Sequence, residues 1–132
     1  MTLLLDTHVV LWWLFDMPEL SELFRARLER ALHAGESLAI SAISFWEIAK
    51  LTQRGRLELD LALDELLEFV ESHPAVRVLP LTAQIAAEST RLGSNFPKDP
   101  ADQLIAATAR CHELRLLTAD EAIRRSNAVA LA

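Results

Sequence analysis

Five acids stand where chemistry can gather in this 132-residue chain: Asp6, Glu47, Asp99, Asp102 and Asp120. Asp6 follows the apolar run Leu3-Leu4-Leu5 and has the Thr7 hydroxyl beside it, while Asp120 follows Leu116-Leu117 through Thr118. Glu47 opens a helical segment after Ala39-Ile40-Ser41, and Asp99 and Asp102 bracket the start of another in Asp99-Pro100-Ala101-Asp102. Ligands of open α/β sheets bind beyond the carboxyl ends of the strands, so acids at such junctions can meet on one rim. There they repel. At an effective dielectric of ~20, a like-charged pair ~4 Å apart costs about 4 kcal/mol, so the cluster must take up protons or a cation. Oxygen ligands without a cysteine or histidine cluster select a hard ion, which makes Mg²⁺ or Mn²⁺ the expected occupant.

Each acid also has a local explanation, since helix N-termini attract carboxylates through their free N–H groups and the macrodipole. Ser44-x-x-Glu47 has the spacing of a capping box, and Asp99 that of an N-cap ahead of Pro100. Asp102 is different: Ile105, Ala106 and Ala109 share its helical face, which turns the carboxylate inward, where acids are rare unless paired or metal-bound. Lys50 and Arg54 share the face of Glu47, able either to meet phosphate or to stay solvated near the helix C-terminus. His8, His33, His73 and His112 lack the i, i+4 pairing of a zinc helix and read as non-ligands. Trp12, Trp13, Leu14 and Phe15 read as core or as subunit interface before base stacking. Together they carry more apolar area than one short helix readily hides, which predicts a homodimer.

What must position these groups is a sheet. Apolar runs at 2–5, 38–40, 76–79, 114–117 and, weakly, 128–131 suit strands buried on both faces. Segments of helical period lie between them at 9–15, 20–33, 45–54, 61–72, 83–92, 101–112 and 122–125. The alternation predicts an α/β fold with a parallel sheet of about four to five strands flanked by helices. No repeat or linker divides the sequence, and 52% hydrophobic residues supply a core for one domain over 1–132. The single cysteine, Cys111, excludes an internal disulfide, and the N-terminal apolar stretch is interrupted by Asp6 far short of a membrane span. A cytoplasmic protein away from the membrane is the expectation. A net charge of −6 argues against broad coating of nucleic acid, yet leaves room for a nuclease whose acids are confined to one cation-neutralised cluster. The isolated glycines Gly35, Gly55 and Gly93 exclude a P-loop and a dinucleotide fingerprint.

Taken in order, LLLDTHVVLWWL, SAISFWEIAK, FPKDPADQLIAATA and LLTADEAI span nearly the whole chain and resemble the motifs of PIN-domain ribonucleases, notably the small VapC-type toxins of toxin–antitoxin pairs. The resemblance implies a Rossmann-like sheet, a Mg²⁺- or Mn²⁺-dependent endoribonuclease site, RNA as substrate, a homodimer and a cognate antitoxin. It implies Asp6, Glu47, Asp102 and Asp120 as catalytic and metal-holding acids, Asp99 as an auxiliary acid, and Thr118 as a supporting hydroxyl, to which the Thr7 hydroxyl beside Asp6 adds a second. In that picture Lys50 and Arg54 contact RNA phosphate. Two positions depart from the pattern: Gln103 stands where an arginine commonly follows the aspartate, and the brief tail after Ser126 predicts an abbreviated last strand. Phosphoryl transfer on a strand-end aspartate needs an acidic pair or Asp-x-Asp, which Asp6-Thr7-His8 does not supply. A catalytically silent PIN-like scaffold that binds a partner protein is the remaining alternative, and retention of all four acids speaks against it.

Overall fold

The apolar runs form the strands of a parallel sheet. In the computed structural model, which describes residues 1–132, β1 (Leu3–Leu5), β2 (Leu38–Ser41), β3 (Val76–Leu79) and β4 (Arg115–Leu117) lie in the order β3-β2-β1-β4. All three pairings are parallel, and Leu4 faces Ala39 on one side and Leu116 on the other. Side chains alternate across a strand, so Leu3 and Leu5 enter one core while Leu4 enters a second on the opposite face.

The Leu3 and Leu5 face is covered by α1 (Thr7–Leu14), α2 (Glu22–His33), α3 (Ile43–Gln53) and α4 (Leu63–Ser72), through Val9, Leu28, Ile48, Leu66 and Val70. The Leu4 face is covered by α6 (Pro100–Cys111) and α7 (Glu121–Ser126) through Ile105, Ala106, Ala109 and Ile123. The alanines of α6 let its backbone lie close on the sheet, and the short α5 (Ala83–Glu88) packs on its outer side. Burial on both faces explains why the central strands read as continuous apolar runs rather than alternating ones. No helix is long and apolar enough to cross a membrane.

Two elements are shorter than their sequence pattern predicts. The helix expected over 83–92 stops at Glu88, where the Ser89 and Thr90 hydroxyls donate to the carbonyls of Ala86 and Ala87 at 2.6 and 2.7 Å and close the turn. Leu92 is nonetheless buried, which is why the apolar period runs past the helix end. The weak run at 128–131 makes a single parallel bridge, Leu116 to Leu131, so the abbreviated last strand is present only as a cover for the β4 edge. Leu4 is fully buried at the centre of the sheet. Leu4→Ala is expected to cost about 2–5 kcal/mol, read as a lower urea midpoint at unchanged m-value.

Candidate active site

The carboxyl end of β1 delivers Asp6 as the N-cap of α1. The Thr7 amide donates to its Oδ1 at 2.8 Å, and the Thr118 hydroxyl donates to its Oδ2 at 2.7 Å from the end of β4. Both carboxylate oxygens are therefore held, and the residue is buried. Thr118 Oγ1 also accepts from the Asp120 amide at 3.1 Å, while Asp120 Oδ1 accepts from the Ile123 amide at 3.0 Å and caps α7. One hydroxyl thus ties the acid after β1 to the acid after β4. Asp99 caps α6, its Oδ1 accepting from the Ala101 and Asp102 amides at 2.9 and 3.1 Å with Pro100 in the first turn. Capping consumes one oxygen each of Asp99 and Asp120 and leaves their Oδ2 atoms without a protein donor.

Glu47 is not a capping residue. The expected Ser44/Glu47 capping box does not form, because α3 already begins at Ile43, whose amide donates to Ser41 Oγ at 3.2 Å. Ser44 lies inside the helix, buried, and its hydroxyl meets Thr7 Oγ1 at 2.8 Å. Thr7 Oγ1 in turn donates to Glu47 Oε1 at 2.5 Å. A threonine hydroxyl has one proton, so Ser44 is the donor to Thr7 while Thr7 holds Glu47.

These acids share one cleft of about 440 Å³, lined by Asp6, Glu47, Asp99, Asp102 and Asp120 together with His8, Trp12 and Ala119. Carboxylate oxygens of Glu47, Asp99 and Asp102 lie within 4.8 Å of one another, with Asp6 and Asp120 on the adjoining walls. The electrostatic consequence is visible in their acidities. Burial raises the carboxyl pKa of Asp6 against the opposing Thr118 hydrogen bond, and burial raises Glu47 against that of Thr7. Asp102 is pushed up to about 7, by burial first and then by the negative charges of Asp6, Asp99, Glu47 and Asp120. An all-oxygen cluster that raises its own pKa values is a site that gains from a hard divalent cation.

Residues 3–128 match the family model of the PIN domain. The chain belongs to the PIN-domain family. Ribonuclease VapC22 of Mycobacterium tuberculosis is 39% identical over 123 residues, 93% of this chain and 90% of the relative. The crystal structure of FitAcB from Neisseria gonorrhoeae superposes with a TM-score of 0.69 at 28% identity, over 98% of this chain and 96% of that one. DNA-bound VapBC from Salmonella typhimurium gives a TM-score of 0.71 at 22% identity over 100% and 97% of the two chains, a likeness of fold.

Within this PIN domain, all five acids singled out in the sequence reach the same cleft, and Thr7 and Thr118 hold Glu47 and Asp6. Lys50 and Arg54 lie outside it, in an adjoining groove that shares Glu47 and Asp99. Gln103 does not face the acids; its amide donates to the Pro97 carbonyl at 3.3 Å and secures the approach to α6. Two residues that sequence reasoning set aside, His8 and Trp12, line the acidic cleft, two and six residues beyond Asp6 and one turn apart on α1. Their signal was the i, i+4 spacing directly after the strand-end aspartate. Trp13 and Phe15 are used differently: they pack on His73 and Phe69, with centroids 5.1 and 5.4 Å apart, against the Leu3 and Leu5 core.

Proposed function

We propose that residues 1–132 form one PIN domain that hydrolyses RNA phosphodiester bonds as the endoribonuclease toxin of a toxin–antitoxin pair, acting in the cytoplasm. The observation that carries this reading is the convergence of Asp6, Glu47, Asp99, Asp102 and Asp120, from distant parts of the sequence, into one cleft that keeps Asp102 protonatable near neutrality. The identity to a ribonuclease over nine-tenths of both chains supports it. Asp6, Glu47, Asp102 and Asp120 are the catalytic, metal-holding acids, and Asp99 is auxiliary. The donor set fits Mg²⁺ or Mn²⁺, being all oxygen and mutually repelling when empty. When bound, such an ion makes a water nucleophilic at neutral pH and offsets charge on phosphate oxygens.

The chain's own groups do the rest. Thr118 and the Thr7 amide hold the Asp6 carboxylate in one orientation, and Thr7 holds Glu47 so that its second oxygen can orient the attacking water. Partners are the RNA substrate, a second copy of the chain as a homodimer, and a cognate antitoxin whose cationic side chain closes the cleft by taking the cation's place. A purely scaffolding domain has no use for five acids gathered to repel one another around a buried Asp6, an arrangement that costs folding free energy.

Cleavage of a labelled single-stranded RNA is expected in Mn²⁺ or Mg²⁺, to stop in excess EDTA, and to return when the ion is restored. Cleavage that persists under chelation would overturn the metal-dependent reading.

A further inference from the structure

Beside the acidic cleft runs a second groove of about 220 Å³, walled by Trp46 and Lys50 on α3, by Arg54 at its C-cap and by Pro100 at the start of α6. Glu47 and Asp99 belong to both grooves, so the two are continuous. Trp46 is the feature without a structural purpose: 49% of it is exposed, although a tryptophan in a chain of this size normally finds cover. Its ring carries the Lys50 ammonium 5.8 Å from the centroid, one helical turn further along. Neither Lys50 nor Arg54 is bound to a carboxylate; the chain's four ion pairs join other residues. An exposed aromatic face flanked by two unpaired cations is what a single-stranded nucleic acid needs, a surface for a base and charge for the neighbouring phosphate.

We infer that Trp46, Lys50 and Arg54 form a positioning subsite for one nucleotide of single-stranded RNA next to the scissile phosphate. The Trp46 indole stacks on the base, and Lys50 and Arg54 hold its phosphate. The inference rests on the ribonuclease reading and adds the missing attraction, since a cleft of five acids repels RNA on its own. Every base has a face to stack, so the subsite selects an unpaired, splayed strand rather than a particular sequence. It also excludes duplex RNA, whose bases are already stacked on one another.

The test measures binding separately from cleavage. Equilibrium anisotropy of a fluorescein-labelled oligoribonucleotide is read in Mn²⁺ on an Asp102→Asn background, with single abasic sites stepped along the strand. Adding Trp46→Ala is expected to weaken binding by roughly 5- to 150-fold, the value of one stacked base, and Trp46→Phe to restore most of it. One abasic position should weaken the parent and leave Trp46→Ala indifferent. Lys50→Gln should lower the slope of log K against log salt by about 0.7, the yield of one single-strand phosphate contact, whereas Trp46→Ala should leave that slope alone. Equal abasic penalties with and without Trp46, or unchanged affinity in Trp46→Ala, would overturn the subsite. So would a Trp46→Ala defect confined to antitoxin binding, which would assign the groove to a peptide. Trp46-dependent RNA binding without cleavage by the wild type would instead overturn the ribonuclease reading and leave the subsite standing.

Discussion

Asp102→Asn is expected to lower RNA cleavage by at least about a thousandfold, the several kcal/mol that a metal-held charge contributes to a hydrolytic transition state. The fold should survive. The Asp102 carboxylate accepts no hydrogen bond from the protein, and its charge opposes those of Asp6, Asp99, Glu47 and Asp120, so the amide fills the same space and relieves repulsion. A metal-free melting temperature equal to or above that of the wild type, beside lost cleavage, is the combined signature. Asp6→Asn is a less clean probe: both oxygens of Asp6 accept hydrogen bonds, and the amide end would confront either the Thr7 N–H or the Thr118 hydroxyl. Wild-type cleavage by Asp102→Asn would remove that acid from the reaction.

The second large effect is on stability. Between the unfolded carboxyl value of 3.8 and the folded value of about 7, native Asp102 keeps a proton that the unfolded chain has lost. The native state binds more protons over that window, so stability is greatest at its acid end and falls as pH rises towards neutrality. Asp102 is half-exposed, and solvent screening reduces its share to about 1–2 kcal/mol, or ~3–8 °C in melting temperature for a domain of this size. Asp102→Asn should remove that share of the slope. Mn²⁺ must displace the same proton, so its stabilisation, about 2.7 kcal/mol at a hundred times Kd, should be larger at pH 8 than at pH 6. Melting curves of both proteins across pH, with and without Mn²⁺, check both statements. A slope identical in wild type and Asp102→Asn would assign the pH dependence to other groups.

Strand positions and the order of elements were legible because central parallel strands are apolar on both faces, and Leu3, Leu4 and Leu5 leave no other reading. Asp102 was legible for the converse reason, as an acid on the same helical face as Ile105 and Ala109. The end of α5 was not: the chain leaves the helix where Ser89 and Thr90 close its last turn onto the Ala86 and Ala87 carbonyls, while Leu92 continues the apolar period into the core. Nor was the role of Ser44. Its spacing to Glu47 fits a cap, and only the approach of Thr7, 37 residues away in sequence, turns the hydroxyl to another task. The exposure of Trp46 was legible but unread, since Lys50 and Gln53 at i+4 and i+7 share its helical face, away from the buried Ser44 and Ile48.

The hydroxyls of Ser44 and Thr7 have a directionality that makes them a memory of charge at the acidic cleft. With Glu47 ionised, every proton in the row points towards the carboxylate: Ser44 to Thr7, Thr7 to Glu47. Once Glu47 is protonated it has a proton to give, and both hydroxyls can rotate to run the row backwards into the body of α3. The polarity of two buried hydroxyls is thus set by the charge on Glu47 alone, and it can reverse without moving a heavy atom.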